Sequence, residues 1–424
     1  MIISFEVQNF RSIYNPIRLD MLPSKMKGTQ ETEGNLLDIS EHKLKVLKSA
    51  VIFGANASGK SNILKAFEFF RMFVLNSIDL KLNQKIPFNP FRLFRVAENE
   101  PSVFTLEFLV DANRYEYSFS IDETKVCEEY LVSYSSRKPS EVFSRKHGEP
   151  IKFNANFKGE KKSLESQLLD NQLLLTKGAN NKFEPLMQIY EYFQKKFNVF
   201  TSDFSDHSYS LKKAYEDDTF RKEIVNFLKV ADTGIEDFFV KKEEIDFSAG
   251  KFADALPDEL KSIIIQRNSN SYNANVSHIS CEIAGDNNPK DILWPIDEES
   301  QGTQKLLAIA GPIIDILKKG SVLIFDEINN SLHPLISRFL VETFNNPEKN
   351  PRGAQLIFTT HDVTLLDSEL FRRDQIWLVE KNNCGFTDFQ SLCGFEIRKD
   401  APLEKWYLAG RFGALPIISN FKIN

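Results

Sequence analysis

Eight consecutive residues, Gly54-Ala55-Asn56-Ala57-Ser58-Gly59-Lys60-Ser61, fit the pattern G-x-x-x-x-G-K-[ST] in full. A loop of this kind curls backbone N–H groups around a phosphate, and the helix that follows adds a partial positive charge. Lys60 then reaches the β- and γ-phosphates of a nucleotide, and the Ser61 hydroxyl ligates Mg²⁺. Asn62 closes the run. The pattern has meaning only between a strand and a helix. Both are legible. Lys45–Phe53 is an apolar strand, and Asn62–Ser77 carries Ile63, Ala66, Phe67, Phe70, Phe73 and Val74 at helical spacing.

A second group has complementary chemistry. Ser321-Val322-Leu323-Ile324-Phe325 is a run apolar enough for a parallel strand buried on both faces, and it ends in Asp326-Glu327. The C-terminal edge of such a strand is where ligands of α/β sheets bind. Asp326 there would hold Mg²⁺ directly or through water, and Glu327 would act as general base on an attacking water. The plainer alternative is a carboxylate pair capping the next helix.

These residues need elements to position them. Ile2–Phe10 alternates as an opening strand. From Pro87 to about Arg145, SVFTLEFLV, RYEYSFSI and EEYLVSYSS read as an antiparallel meander. From about Lys152 to Asp286 the chain is charge-rich, with helical spacing at Phe183, Leu186, Tyr190, Phe193 and Phe197 and again at Phe220, Ile224, Phe227 and Leu228. The polar run Asn268–Asn275 within it reads as an exposed loop. After Asp291, helices over Ser300–Leu317 and Leu335–Phe344 alternate with strands over Ser321–Phe325, Gln355–Thr359 and Gln375–Val379, and Leu365 begins a short helix. The expected organisation is an α/β fold in three segments. Residues 1–150 carry the glycine-rich loop and the meander, 151–286 form a mainly helical insertion, and 287–424 complete the α/β part.

Composition sets outer limits. The chain has 424 residues, 42% hydrophobic and 26% charged, with 37 phenylalanines, so aromatic burial should carry much of its core. The net charge of −6 gives no global basic footprint for a duplex, although a local basic groove stays open. The opening MIISFEVQNF has no signal-peptide texture. No stretch approaches the roughly 20 apolar residues of a membrane span. Cys127, Cys281, Cys384 and Cys393 have no metal-ligand spacing and read as reduced thiols of a cytoplasmic protein.

About 270 residues separate the glycine-rich loop from the Asp-Glu strand. Two halves of one nucleotide site split by an insertion resemble the ABC-type ATPases of the SMC class. The resemblance implies further site residues. Glu299-Ser300-Gln301-Gly302-Thr303-Gln304 resembles a degenerate ABC signature, in which Ser300 and Gly302 would contact the γ-phosphate held by a partner subunit; Ser300 as a plain helix cap is the alternative. Asn330-Ser331-Leu332-His333-Pro334 stands at the family's D-loop. His361, after Thr359-Thr360, stands where the switch histidine senses the γ-phosphate, with an ordinary surface histidine as the alternative. Asn9-Phe10-Arg11-Ser12 resembles the turn whose arginine approaches the phosphates, which makes Arg11 a candidate beside the reading of a surface arginine at a strand end. Gln84 lies near the Q-loop position without supporting context.

A closer resemblance combines ISFEVQNFRSI, GANASGKSN, PFNPFRL, ESQGTQK, IFDEINNSLHP, FTTHD and LEKWYLAGRFGALP. The chain looks like the AAA-type bacterial ATPases of the RloA and AbiL group, relatives of the OLD ATPases. That implies an ABC-type P-loop ATPase head with a β-meander lobe, using ATP and Mg²⁺, acting as a homodimer or higher homo-oligomer. It also implies a sensor role in anti-phage abortive infection, with a nucleic-acid or phage trigger and a separate effector, such as a nuclease, from the same operon. Two other readings compete. A shortened SMC-like DNA-binding or repair ATPase would show salt-dependent DNA binding. A self-contained nuclease would need further carboxylates, and no such cluster is apparent.

Overall fold

A computed structural model describes residues 1–424 except 27, 112, 135–137, 156, 158–159, 245–269, 280–290, 399–400 and 417–424. Cys281 and the start of the Asn268–Asn275 run lie outside the described residues. The chain divides into two compact units, Met1–Ser202 with Ile316–Asn330 and Ser337–Asn424, and Asp203–Asp315 with Ser331–Ile336. The expected insertion is thus shared, with residues up to Ser202 in the first unit and the following ones in the second.

The first unit contains two large sheets and a two-stranded one, Leu36–Ile39 with Leu44–Leu47. One large sheet is antiparallel, in the order Lys152–Phe153, Ser140–Lys146, Val126–Ser133, Asn113–Ile121, Ser102–Val110, Ile2–Gln8, Ile17–Asp20. Its strands alternate, and their inward rows include Phe5, Val7, Phe104, Leu106, Tyr117 and Phe119. The other has the order Phe197–Phe200, Val322–Phe325, Gln355–Thr359, Ser49–Gly54, Ile376–Lys381, Thr387–Ser391. Its first five strands are parallel and the last is antiparallel. Ser49–Gly54 and Val322–Phe325 are buried at every residue, as strands covered on both faces must be.

One core joins the two sheets through the helix Lys60–Asn76. Phe67 stacks on Phe5 of the antiparallel sheet at 3.9 Å between centroids and lies 6.3 Å from Phe197 of the parallel one. Phe70 reaches Phe119 at 5.1 Å and Phe193 at 5.5 Å. Each fully buried phenylalanine contributes roughly 1.5–3 kcal/mol, so this aromatic seam fixes where the helix lies.

Two readings of the sequence need correction. Phe197 does not continue a helix. That helix is Glu184–Lys195, and Phe197–Phe200 is an edge strand paired in parallel with Val322–Phe325. A strand starting so soon after a helix keeps its apolar residue at helical spacing, so periodicity alone misassigns it. The run read as an exposed loop is the strand Asn270–Ile279, flanked by Asp237–Glu244 and Asp291–Pro295 in the second unit. Its Ala274, Val276 and His278 alternate with asparagines and serines, and those turn-forming residues mask the period of two. Smaller differences also occur. Lys45–Phe53 is two strands, Leu44–Leu47 and Ser49–Gly54, divided at Lys48, and the short helix at Leu365 is a single turn over Val363–Leu365.

In the second unit the helix beginning at Gln301 contains Pro312. Proline has no N–H for the carbonyl four residues earlier, Ala308. The Ser210 hydroxyl supplies the missing donor to Ala308 O at 3.2 Å, and Gly311 N donates to Ser210 Oγ at 3.1 Å. Gly311 is what lets Ser210 approach, since a Cβ there would sit 2.8 Å from Ser210 Cα.

A buried carboxylate organises the antiparallel lobe. Glu129 is fully buried, pairs with Arg145 at 3.2 Å and accepts from the Tyr117 hydroxyl at 2.8 Å. It also accepts from Leu174 N at 2.8 Å and Leu175 N at 2.9 Å, the free N–H groups that open the helix Leu174–Asn180. Glu129→Ala leaves a buried guanidinium, a phenol and two amides without their partner. The expected loss is about 3–5 kcal/mol of unfolding free energy, measured as a lowered denaturant midpoint.

Candidate active site

Parallel register brings three strand ends to one edge. Val322–Phe325, Gln355–Thr359 and Ser49–Gly54 are neighbours, and each runs into a polar segment there. Gly54 ends the strand where only hydrogen fits, because a Cβ would lie 2.3 Å from Val379 O and 2.8 Å from Ser58 Oγ. The loop closes at Gly59, whose φ of +112° suits glycine. Gly59 is also the N-cap of Lys60–Asn76, and it has no side chain to serve the first-turn N–H groups. An anion is the partner that such a helix start accepts. The buried Ser58 Oγ, with no hydrogen-bond partner among the described residues, is a second open donor in the loop.

Lys60 is buried, and its ammonium donates to Gly54 O at 2.8 Å and Ala55 O at 2.9 Å. Its Nζ lies 3.5 Å from His361 Nδ1. Burial pushes Lys60 down to about 8, against the opposing pull of Glu327 and then Asp326. A phosphate chain would restore the charge balance that burial disturbs.

The acidic side of the site is equally connected. Ser61 Oγ donates to Asp326 Oδ1 at 3.2 Å, and Thr359 Oγ1 donates to the same oxygen at 2.6 Å. Thr359 Oγ1 in turn accepts Glu327 N at 2.7 Å. Glu327 has a φ of +50°, an unusual conformation for a side chain of this size, so the threonine holds a strained turn at the strand end. Glu327 Oε1 lies 3.4 Å from His361 Nε2, and both side chains are about one-third exposed. Asn329 Oδ1 accepts from Thr360 Oγ1 at 2.8 Å and from His361 N at 3.4 Å, which fixes the segment carrying the histidine. Ser61 and Asp326 present two hard oxygen donors side by side, a fit for Mg²⁺, which would supply charge neutralisation between phosphate oxygens.

Sequence reasoning singled out Lys60, Ser61, Asp326, Glu327 and His361, and the fold brings these five together. Ser12, Thr359, Asn329 and Thr387 also belong to the cluster and were missed. Thr359-Thr360 carries a legible signal, an apolar strand ending abruptly in two hydroxyls. Thr387 carries none, since it opens a short edge strand remote in sequence. Arg11 is exposed with a φ of +54°, and its guanidinium lies over the Phe10 ring at 5.7 Å. The contact of that turn with the loop comes from Ser12, which accepts from Asn62 Nδ2 at 2.7 Å. Ser300 and Gly302 belong to the second unit. There Ser300 Oγ accepts Thr303 N at 3.2 Å, a helix cap, and a Cβ on Gly302 would meet Ser331 O at 2.9 Å.

The ionisation of Lys60 makes a testable statement. With an ordinary lysine value in the unfolded chain and about 8 in the free site, the folded site sheds its proton first as pH rises. An anion binds the ammonium form. Affinity for a phosphate chain should therefore hold steady below about pH 8 and fall above it. Near pH 8 binding should take up about half a proton. Calorimetry in buffers of different ionisation enthalpy reads this directly. Uptake near zero across pH 7–9 would mean that Lys60 is not the group engaged.

The sequence model of a family described as "AAA domain, putative AbiEii toxin, Type IV TA system" matches residues 49–367, about three quarters of the chain. No curated protein matches. Among solved structures, the Smc head domain with an extended coiled coil bound to the C-terminal domain of ScpA, from Pyrococcus furiosus, aligns at 15% identity and a TM-score of 0.32, covering 93% of this chain and 97% of that one. The cbiO1 protein of Clostridium perfringens, part of the ABC transporter complex cbiONQ, aligns at 13% identity and a TM-score of 0.27, covering 90% of each chain.

Proposed function

The chain belongs to the AAA domain family whose model spans its glycine-rich loop and its Asp-Glu strand, and from that premise we propose that it binds and hydrolyses ATP as the switch subunit of a bacterial anti-phage system of the RloA, AbiL and OLD type. The observation that carries the reading is the convergence, at one sheet edge, of a buried lysine, a Ser61–Asp326 oxygen pair and a Glu327–His361 pair. The family's description names a putative toxin of a type IV TA system. No described helix is long and apolar enough to cross a membrane, and a cytoplasmic site of action is part of the proposal.

The chemistry follows from the chain's own groups. The loop amides and the Lys60 ammonium hold the β- and γ-phosphates. Ser61 and Asp326 would hold Mg²⁺. Glu327 accepts a proton from water as its oxygen bonds to the γ-phosphorus, while the bond to the β–γ bridging oxygen breaks and ADP leaves. His361, beside both Lys60 and Glu327, is placed to register the γ-phosphate.

Lys60→Ala should weaken ATP affinity by roughly 10–150-fold, the equivalent of about 1.5–3 kcal/mol for a hydrogen bond to a charged group. Glu327→Gln should retain ATP affinity and lower turnover by about 10²–10⁴-fold. Equilibrium binding and phosphate release distinguish the two, and ordinary turnover in Glu327→Gln would remove Glu327 from the base role.

Assembly is the remaining part. We propose a homodimer in which the Ser300 helix start and Gly302 of one subunit contact the γ-phosphate bound by the other, so that ATP favours closure and hydrolysis reopens the pair and signals to a separate effector. Mixing inactive Lys60→Ala and Ser300→Arg chains should then restore part of the ATPase, through the one composite site that stays intact. Mixed dimers without any recovery would count against sharing between subunits.

A further inference from the structure

The glycine-rich loop rests against two hydroxyls from elsewhere in the first unit. Asn62 Nδ2 donates to Ser12 Oγ at 2.7 Å, Ser12 Oγ and Thr387 Oγ1 are 2.7 Å apart, and Thr387 Oγ1 donates to Ser58 O at 3.2 Å. Each hydroxyl has one proton. The Thr387 proton is used on the Ser58 carbonyl, so Ser12 must donate to Thr387, and its lone pair receives Asn62. The result is a single-direction chain from the first turn of the helix back to the loop. A backbone bond from Thr387 N to Ser12 O at 2.8 Å clamps the two donor segments together. Thr387 is buried, and a Cβ built on Gly59 would lie 2.1 Å from its hydroxyl and 3.0 Å from that of Ser12.

We propose that Thr387, acting with Ser12, is a positioning residue that sets the orientation of the Ser58–Gly59 peptide for phosphate binding. In a planar trans peptide the carbonyl and the N–H point in opposite directions. Anchoring the Ser58 carbonyl on Thr387 turns the Gly59 N–H away from Thr387, toward the inside of the loop. The Asn62 end of the same chain ties the helix start to that peptide, so the loop is braced before any ligand arrives. Preorganised donors bind without first being ordered, and this is the gain the brace provides. The inference rests on the nucleotide reading above.

The test uses the full chain and three substitutions. Thr387→Val keeps the shape and removes the hydroxyl, Thr387→Ser restores it, and Ser12→Ala cuts the chain one step earlier. ATP affinity, apo melting temperature and apo hydrogen exchange of residues 54–62 are measured for each. Thr387→Val and Ser12→Ala should bind ATP about 5–30-fold more weakly and exchange faster in the loop, with the melting temperature close to wild type and Thr387→Ser near wild type throughout. Unchanged affinity and exchange in Thr387→Val would overturn the proposal, as would a melting loss that Thr387→Ser shares. A wild-type chain that binds no ATP would sink the nucleotide reading instead, and loop exchange alone would then decide whether the brace exists.

Discussion

One helix has to satisfy two demands that oppose each other. Along its length Lys60–Asn76 must disappear between two sheets, with Phe67 and Phe70 against rings from both sides. At its first turn it must stay unfilled, with a glycine for a cap and a lysine that burial makes reluctant to hold its charge. The aromatic seam resolves the conflict by rigidity. Many small dispersion contacts hold the axis, so the helix start can be left with unsatisfied donors without fraying.

The carboxylate side shows the same division between a rigid scaffold and a strained end. Val322–Phe325 is buried throughout, and the conformational irregularity begins only after it, at Glu327. Thr359 bonds Asp326 and the Glu327 backbone at once, so the two acidic residues are set relative to each other by the neighbouring strand rather than by their own. A substitution there would shift both carboxylates together.

Much of this was legible in the residues themselves. The glycine-rich loop, the apolar strand ending in Asp326-Glu327 and the alternating meander each carry a local pattern, and only the carboxylate pair had a competing reading, as a helix cap. What escaped was non-local or ambiguous. Phe197 satisfies helical spacing and strand burial alike. Asn273 and Asn275 look like turn residues until Asn273 pairs with Lys241 and Asn275 with Phe239 on one side and Pro295 on the other. Ser12 and Thr387 matter because of where distant segments meet, and no spacing rule relates residues so far apart in sequence.

The order of strands in the parallel sheet also governs how the chain can be made. The strand Ser49–Gly54 lies between Gln355–Thr359 and Ile376–Lys381, both encoded near the far end of the chain. During synthesis the segment that carries the phosphate loop emerges early and must wait for about 300 residues before either edge is paired. An apolar strand with two open edges is a template for wrong partners. The antiparallel sheet has no such delay, since its strands all come from the first 153 residues. It can form on the ribosome and shelter one face of the waiting helix. Such a chain should therefore depend on slow elongation or on chaperones more than its stability alone would suggest, because its longest-range pairings are those that complete the edge carrying the candidate site.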